Sequence, residues 1–291
     1  MPAKWTNNYP LYWINLDRDV QRRHRMEWAL KKGGWQSERW RAIDARDNQH
    51  HFLALPKPWQ TASRMPGVQH SEESNPGRLT SRSELACLSS WQTLIEKLDY
   101  CSSPSGWFLL MEDDVGSSLA CPEAWPASLD QLIDAAGSEC LGIQLAAISS
   151  KARQSLHAKW KTANQKIIVV PKESIRSHGN GAILLNQRAI PYLKRRLGRW
   201  LQNMVPNLYV LGHPHNVRPV ADKWLYASLP SSTCWVATYP LFCLDASESS
   251  LHEEHVKDFH QPSLESTLTL WKEDDAKELI NNFKYWRSIK K

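Results

Sequence analysis

The apolar run Trp107-Phe108-Leu109-Leu110-Met111 ends in three consecutive carboxylates, Glu112-Asp113-Asp114. The run is short and unbroken, and Ser103-Pro104-Ser105-Gly106 bounds it on one side. These signs predict a buried strand. Strand side chains alternate, so Glu112 and Asp114 are expected to point one way and Asp113 the other. Like charges crowded at a strand end are costly unless a positive group sits beside them. A hard divalent cation with oxygen ligands meets that need. Open α/β sheets bind ligands at the carboxyl ends of their strands. The triplet therefore suits an enzyme that holds a metal ion and a nucleotide diphosphate. The plainer reading is a solvated acidic turn after a core strand.

The rest of the chain supplies partners for that strand. Tyr9 to Leu16 reads as a first strand with Pro10 at its edge. Asp17 is placed to cap a helix over Val20 to Lys32, which Gly33-Gly34 ends. Trp40 to Ile43 reads as a second strand that stops at Asp44. Strand, helix and strand in that order build parallel sheets. Residues 45–80 are polar and aperiodic and read as a long mobile loop that orders with ligand. Ser81 or Ser83 caps a helix from Glu84 to about Leu98. Cys140 to Ala147, Lys166 to Val170 and Ala182 to Leu185 read as further strands, with Gly179-Asn180-Gly181 a turn or close approach. Gln187 to Leu197 reads as a basic helix interrupted near its start by Pro191. The fold class is α/β, with a mostly parallel central sheet flanked by helices.

Composition narrows the function classes. The chain has 291 residues, 42% of them hydrophobic and 23% charged, as in an ordinary globular protein. Its formal charge of +6 is mild for this length. No compact Lys/Arg cluster with interleaved aromatics is present, so nucleic acid is not an expected partner. Six cysteines show neither CxxC spacing nor a paired framework, which points to free thiols in a reducing compartment. Met1 to Pro10 lacks the pattern of a signal peptide, and no apolar run is long enough to span a bilayer. The expected location is cytoplasmic. Fifteen tryptophans are unusual, and some suit stacking on sugar rings.

Several separate segments resemble glycosyltransferase family 25. Its members include bacterial lipopolysaccharide galactosyltransferases and collagen hydroxylysine galactosyltransferases. Asn15-Leu16-Asp17-Arg18 followed by Arg22, Arg23, Arg25 and Met26 reproduces every specified position of the family's N-L-x-R-x-x-x-R-R-x-R-M opening. Ala42-Ile43-Asp44-Ala45 is similar to A-[VI]-D-G. Glu84 to Ser90 is similar to E-[IK]-[GA]-C-x-x-S-H. Glu112-Asp113-Asp114-Val115 matches the E-D-D-V metal motif. Gly181 to Leu185 with Ala189, Pro219 to Asp222 and Pro240 to Leu251 resemble later elements, all in the family's order. The chain departs from the pattern at Trp91, where the family has His, and at Ala182, where it has Tyr. Asp245 stands in place of Gln, and Ala221 is an extra residue before Asp222.

The resemblance implies a GT-A-like nucleotide-sugar-binding fold over residues 1–262 and a metal-dependent hexosyltransferase. The expected donor is a UDP-sugar, with galactose or glucose as the hexose. The acceptor is a hydroxyl of a glycan, lipopolysaccharide, other glycolipid or protein-linked sugar, and transfer inverts the anomeric centre. Asn15, Leu16, Arg18, Arg22, Asp44, Glu84 and Asp113 are the implied donor-binding residues. Arg18, Arg22 and Arg25 share a helical face, which equally describes a solvated basic surface. Asp44 equally reads as a turn residue and Glu84 as a favourable helix-start charge. Glu112 and Asp114 are the implied metal ligands, for Mn²⁺ or Mg²⁺. Asp222 is the first candidate for the general base and Asp245 the second, although either suits a helix cap. One of His252, His255 and His260 could complete the metal shell. The departures motivate an alternative, a catalytically silent carbohydrate-binding protein with the same sheet.

Residues 263–291 read as a C-terminal amphipathic basic helix. Leu279, Ile280, Phe283 and Trp286 form its apolar stripe, and Lys284, Arg287, Lys290 and Lys291 surround it. Such a helix either lies weakly on an anionic membrane or packs its stripe on the domain.

Overall fold

The structure, a computed structural model, describes residues 8–46, 82–194, 221–245 and 256–289. The expected mobile loop, 45–80, lies almost wholly outside the described residues, as do His252 and His255. In chain order the sheet strands are β1 (Leu11–Asn15), β2 (Ser37–Arg41), β3 (Trp107–Glu112), β4 (Gly142–Gln144), β5 (Val169–Pro171), β6 (Ala182–Asn186) and β7 (Cys234–Ala237). The helices are α1 (Val20–Gly33), α2 (Arg82–Leu98), α3 (Leu129–Ala136), α4 (Ser150–Thr162), α5 (Ala221–Ala227), α6 (Gln261–Glu273) and α7 (Lys277–Ser288).

The seven strands form one mixed sheet in the order β2-β1-β3-β6-β4-β7-β5. β1, β2, β3, β4 and β7 run one way, and β6 and β5 run against them. The α/β class and the dominant strand direction follow the sequence reading, and helices cover both faces. Alternation along β3 divides the core. Leu109 and Met111 enter the layer of α1, α6 and α7 with Met26, Trp271, Phe283 and Trp286. Phe108 and Leu110 enter the layer of α2 and α5 with Leu88, Trp91, Trp224 and Leu225. β2 lies at the sheet edge, and its sequence Ser-Glu-Arg-Trp-Arg leaves it partly in water, as suits an edge strand.

Local chemistry sets the boundaries. α1 ends where Gly34 turns left-handed at φ 72° and its N–H bonds the Leu30 and Lys31 carbonyls. Gly33 is required by close approach, because a Cβ there would lie 1.8 Å from the Leu119 carbonyl oxygen. The cap differs from expectation. Asp19, not Asp17, occupies the N-cap position, without a side-chain bond to the helix. Asp17 instead pairs with Arg39 and Arg41 of β2.

The C-terminal segment also differs. It is two helices, reversed at Asp274-Asp275-Ala276, with Asp275 at φ 55°. Leu279, Phe283 and Trp286 are buried against α1 and the 116–120 turn. Burying three large apolar side chains stabilises the protein by about 1.5–3 kcal/mol each. These three residues of the stripe are therefore part of the domain core, and Ile280 is half-buried. No helix among the described residues is long and apolar enough to cross a membrane. All six cysteines are free thiols.

Candidate active site

Strand direction brings the site together. β1, β3 and β4 are parallel, so Asn15, Glu112 and Gln144 end at one edge of the sheet. β6 runs the other way and brings Gly181, just before its start, to the same edge. There the Glu112 N–H donates to the Gly181 carbonyl at 2.8 Å.

The three carboxylates face three environments. Glu112 turns toward α2, where the Trp91 indole N–H donates to its Oε1 at 3.0 Å and the Cys87 thiol lies 3.8 Å away. Removal from water pushes the Glu112 carboxyl up, the Trp91 bond pulls it back, and the Asp113 and Asp222 charges raise it again. Asp113 turns to the other face, as alternation predicts. It accepts from Asn15 Nδ2 at 2.6 Å and from Arg22 at 3.1 Å. Burial still holds its carboxyl above the usual range against both partners.

Asp114 follows the end of β3, and the Glu112 charge acts on it. It lies on the Arg22 side, 4.0 Å from that guanidinium. Its Oδ1 is buried without a hydrogen bond. Burial pushes its carboxyl well up; Arg22 opposes this, and Glu112, Asp113 and Asp245 add to it. Burial would lower the Arg22 pKa, but Asp113 and Asp114 outweigh burial and keep the guanidinium charged. Asp113 and Asp114, among the described residues, both lie within 4.0 Å of the Arg22 guanidinium, whose charge also acts on Glu112. Among the described residues, no group of three or more His, Cys, Asp or Glu side chains is gathered to hold a metal ion.

Arg18, Arg22 and Arg25 of the opening motif go to separate acids rather than forming one solvated face, and Arg23 donates to the Asp17 carbonyl. Arg18 pairs with Asp44, so two expected donor-binding residues bind each other. Burial would raise the Asp44 pKa, but the bonds from Arg18 and the Arg46 N–H bring it below its ordinary value. Asp44 Oδ1 accepts that Arg46 N–H at 2.9 Å, the bond of a turn aspartate. Arg22 serves the acidic triplet. Arg25 is buried and donates to Asp245 at 2.8 Å and to the Arg287 carbonyl at 3.0 Å. Asn15 spends its amide on Asp113, the Asp19 carbonyl and Arg39. It is a brace for the triplet. Leu16 is half-buried beyond the end of β1, and its carbonyl accepts the Asp19 N–H at 3.0 Å. Glu84 lies in the first turn of α2, and its side chain is outside the described residues.

The two candidate bases are held differently. Asp222, in the first turn of α5, is half-buried, and its Oδ2 accepts the Gly179 N–H at 3.3 Å. Its charge acts on both Glu112 and Cys87. Asp245 is 3% exposed and lies between Arg25 and Arg287, the latter at 3.4 Å. Two guanidiniums thus pair with that carboxylate. Its N–H donates to the Asp114 carbonyl at 2.7 Å. His260 is half-buried near Arg22; burial first, and then that cation, lower its pKa.

Two residues that approach this edge were not singled out in the sequence. Gln144 is fully buried, and Lys172 is half-buried with its ammonium on the Gln144 side chain. Gln144 carried a signal, since it is the one amide inside the apolar run Leu141 to Ala147. Lys172 had none.

An α/β sheet with helices on both faces and acidic groups at the carboxyl edge is consistent with a GT-A-like sugar transferase, and glycosyltransferase is the class. The sequence model of glycosyltransferase family 25 (LPS biosynthesis protein) matches residues 8–178, and the chain belongs to that family. No curated protein matches the chain. A glycosyltransferase acts on a sugar donor and an acceptor.

Proposed function

We propose that the chain transfers a hexose from a UDP-sugar to a hydroxyl of a glycan, lipopolysaccharide or protein-linked acceptor, with inversion and with a divalent metal ion. The observation that carries this reading is the charge imbalance of Glu112, Asp113 and Asp114 around Arg22, with Asp114 Oδ1 buried and unbonded. An anionic diphosphate does not approach such a site unless a cation accompanies it.

The donor set fits Mn²⁺ or Mg²⁺. These ions take oxygen ligands and are commonly held by one or two carboxylates together with substrate phosphates, so a full protein cage is not needed. Asp114 would hold the ion, with Glu112 nearby. The ion supplies charge stabilisation for the leaving diphosphate. Arg22 adds fixed positive charge beside it, and Asn15 keeps Asp113 oriented for donor hydroxyls. Asp222 serves as the base. The acceptor hydroxyl gives its proton to Asp222 while its oxygen forms a bond to the anomeric carbon. The bond from that carbon to the UDP oxygen breaks, and UDP leaves with the electron pair. Opposite-face attack in one displacement inverts the centre.

Calorimetry of UDP binding in Mn²⁺ and in EDTA tests the reading. Binding in Mn²⁺ and its loss in EDTA are expected; equal affinity in both removes the metal. Asp114→Asn should fold and lose turnover. Hydrolysis of UDP-galactose or UDP-glucose without acceptor separates a transferase from a silent binding protein, which binds but does not turn over.

A further inference from the structure

Lys172 follows β5, which runs against β4 and β7, so its backbone leaves the sheet level with Cys234 and its side chain reaches back to Gln144. Its ammonium donates to Gln144 Oε1 at 2.8 Å, to the Ser177 carbonyl at 2.8 Å and to Ser177 Oγ at 3.0 Å. Gln144 passes the restraint on. Its Nε2 donates to the His178 carbonyl at 2.9 Å and to the Gly179 carbonyl at 2.6 Å. Gly179 sits at φ +101°, and a Cβ there would lie 2.5 Å from Ile148 Cγ1, so the segment has little freedom of its own. The N–H of the same Gly179 donates to Asp222.

Lys172 also touches the other partner of that bond. Its ammonium lies 4.1 Å from the centre of the Tyr226 ring, a cation–π contact. Tyr226 is four residues after Asp222 on α5, one turn along the same helical face. One cation thus grips the glycine loop through Gln144 and the Asp222 helix through Tyr226.

We infer that Lys172 is a positioning residue for Asp222, holding the Gly179–Asp222 hydrogen bond from both sides so that the carboxylate is presented to the attacking hydroxyl. This rests on the reading of Asp222 as base. Charge state matters to the grip, because a neutral amine has two N–H groups and the site uses three. Burial pushes the Lys172 pKa down to about 8, with Cys234 and Asp222 acting against burial. The charged and titratable groups facing it are Asp222 and Tyr226 on α5 and Cys234 on β7.

The test uses the full chain with Mn²⁺ and UDP-galactose, water serving as acceptor, together with hydrogen exchange at the Gly179 amide. In Lys172→Met that amide should exchange about tenfold faster, the effect of one lost hydrogen bond. Hydrolysis should fall about tenfold in kcat with KM unchanged. Wild-type kcat should decline above about pH 8, and that decline should be absent from Lys172→Met. Lys172→Arg should restore slow exchange. Tyr226→Leu, which leaves the ammonium in place, should speed Gly179 exchange to a smaller extent, and it decides the matter if Lys172→Met does not fold. Unchanged Gly179 exchange in the folded variants overturns the inference. Full hydrolysis by Asp222→Asn instead sinks the assignment of the base, and the exchange data then judge the grip of Lys172 separately.

Discussion

Asp222 and Asp245 flank the same acidic triplet, and the protein treats them in opposite ways. Asp245 lies between two guanidiniums on the α1 and α7 side, almost wholly out of water. Asp222 lies on the α5 side, half-buried, bonded to a backbone N–H. Two guanidiniums fix the direction of the Asp245 carboxylate, whereas the Asp222 carboxylate accepts a backbone N–H from the glycine loop. On the proposed function the two sides divide the work: the N- and C-terminal helices fix the triplet, and the loop and helix around Asp222 would face the chemistry.

The largest expected effect comes from Asp222→Asn. Turnover should drop by about 10²–10⁴-fold, the usual size of a general-base contribution, with the urea midpoint unchanged. Retained turnover would break the comparison at its first term. Asp245→Ala should do the reverse. It leaves Arg25 and Arg287 around an empty position, so stability should fall by about 3–5 kcal/mol in urea melts. A neutral result would show that the brace is dispensable. Trp91→Phe removes the N–H donor to Glu112 and should cost about 1–3 kcal/mol in the same assay.

The pH dependence follows from the raised carboxyls. Glu112, Asp113 and Asp114 have folded pKa values above their ordinary 4.5, 3.8 and 3.8, so the folded state binds more protons than the unfolded one. The stability they contribute is present below those ordinary values and is lost as pH rises through the folded ones. In EDTA the melting temperature should therefore climb as pH is lowered from neutrality, and Mn²⁺ should flatten the slope. A melting temperature that falls steadily over that interval in EDTA contradicts the imbalance. The smallest effect belongs to Arg18→Ala. Its pair with Asp44 is exposed, and the change should cost about 0.2–1 kcal/mol.

Much of the fold was legible because its signals are local. The apolar run at 107–111 and the glycines at 33–34 report β3 and the end of α1 directly. The triplet's division into opposite faces was legible for Glu112 and Asp113, since alternation holds while the strand lasts. Beyond the end of β3, at Asp114, alternation no longer says where a side chain points. The arginines were harder. Helical spacing put Arg18, Arg22 and Arg25 on one face, but only the tertiary structure decides that each meets a different aspartate. The stripe at 279–286 reads the same whether it meets lipid or core, and only the packing of α7 on α1 shows that Leu279, Phe283 and Trp286 enter the core. Lys172 left no trace in the sequence, because its role depends on a loop and a helix that meet only in three dimensions.

The reversed strand β6 has a consequence in time. β3 pairs with β1 on one side and β6 on the other, and 70 residues (182 − 112) separate Glu112 from Ala182. At about 5–20 residues per second of synthesis, a ribosome takes several seconds to cross that interval. For those seconds a nascent chain holds β3 with an open edge, and the Glu112 amide lacks its carbonyl partner. Arg287, which braces Asp245, arrives later still. Sheet closure and the burial of three carboxylates therefore fall late in the birth of the molecule.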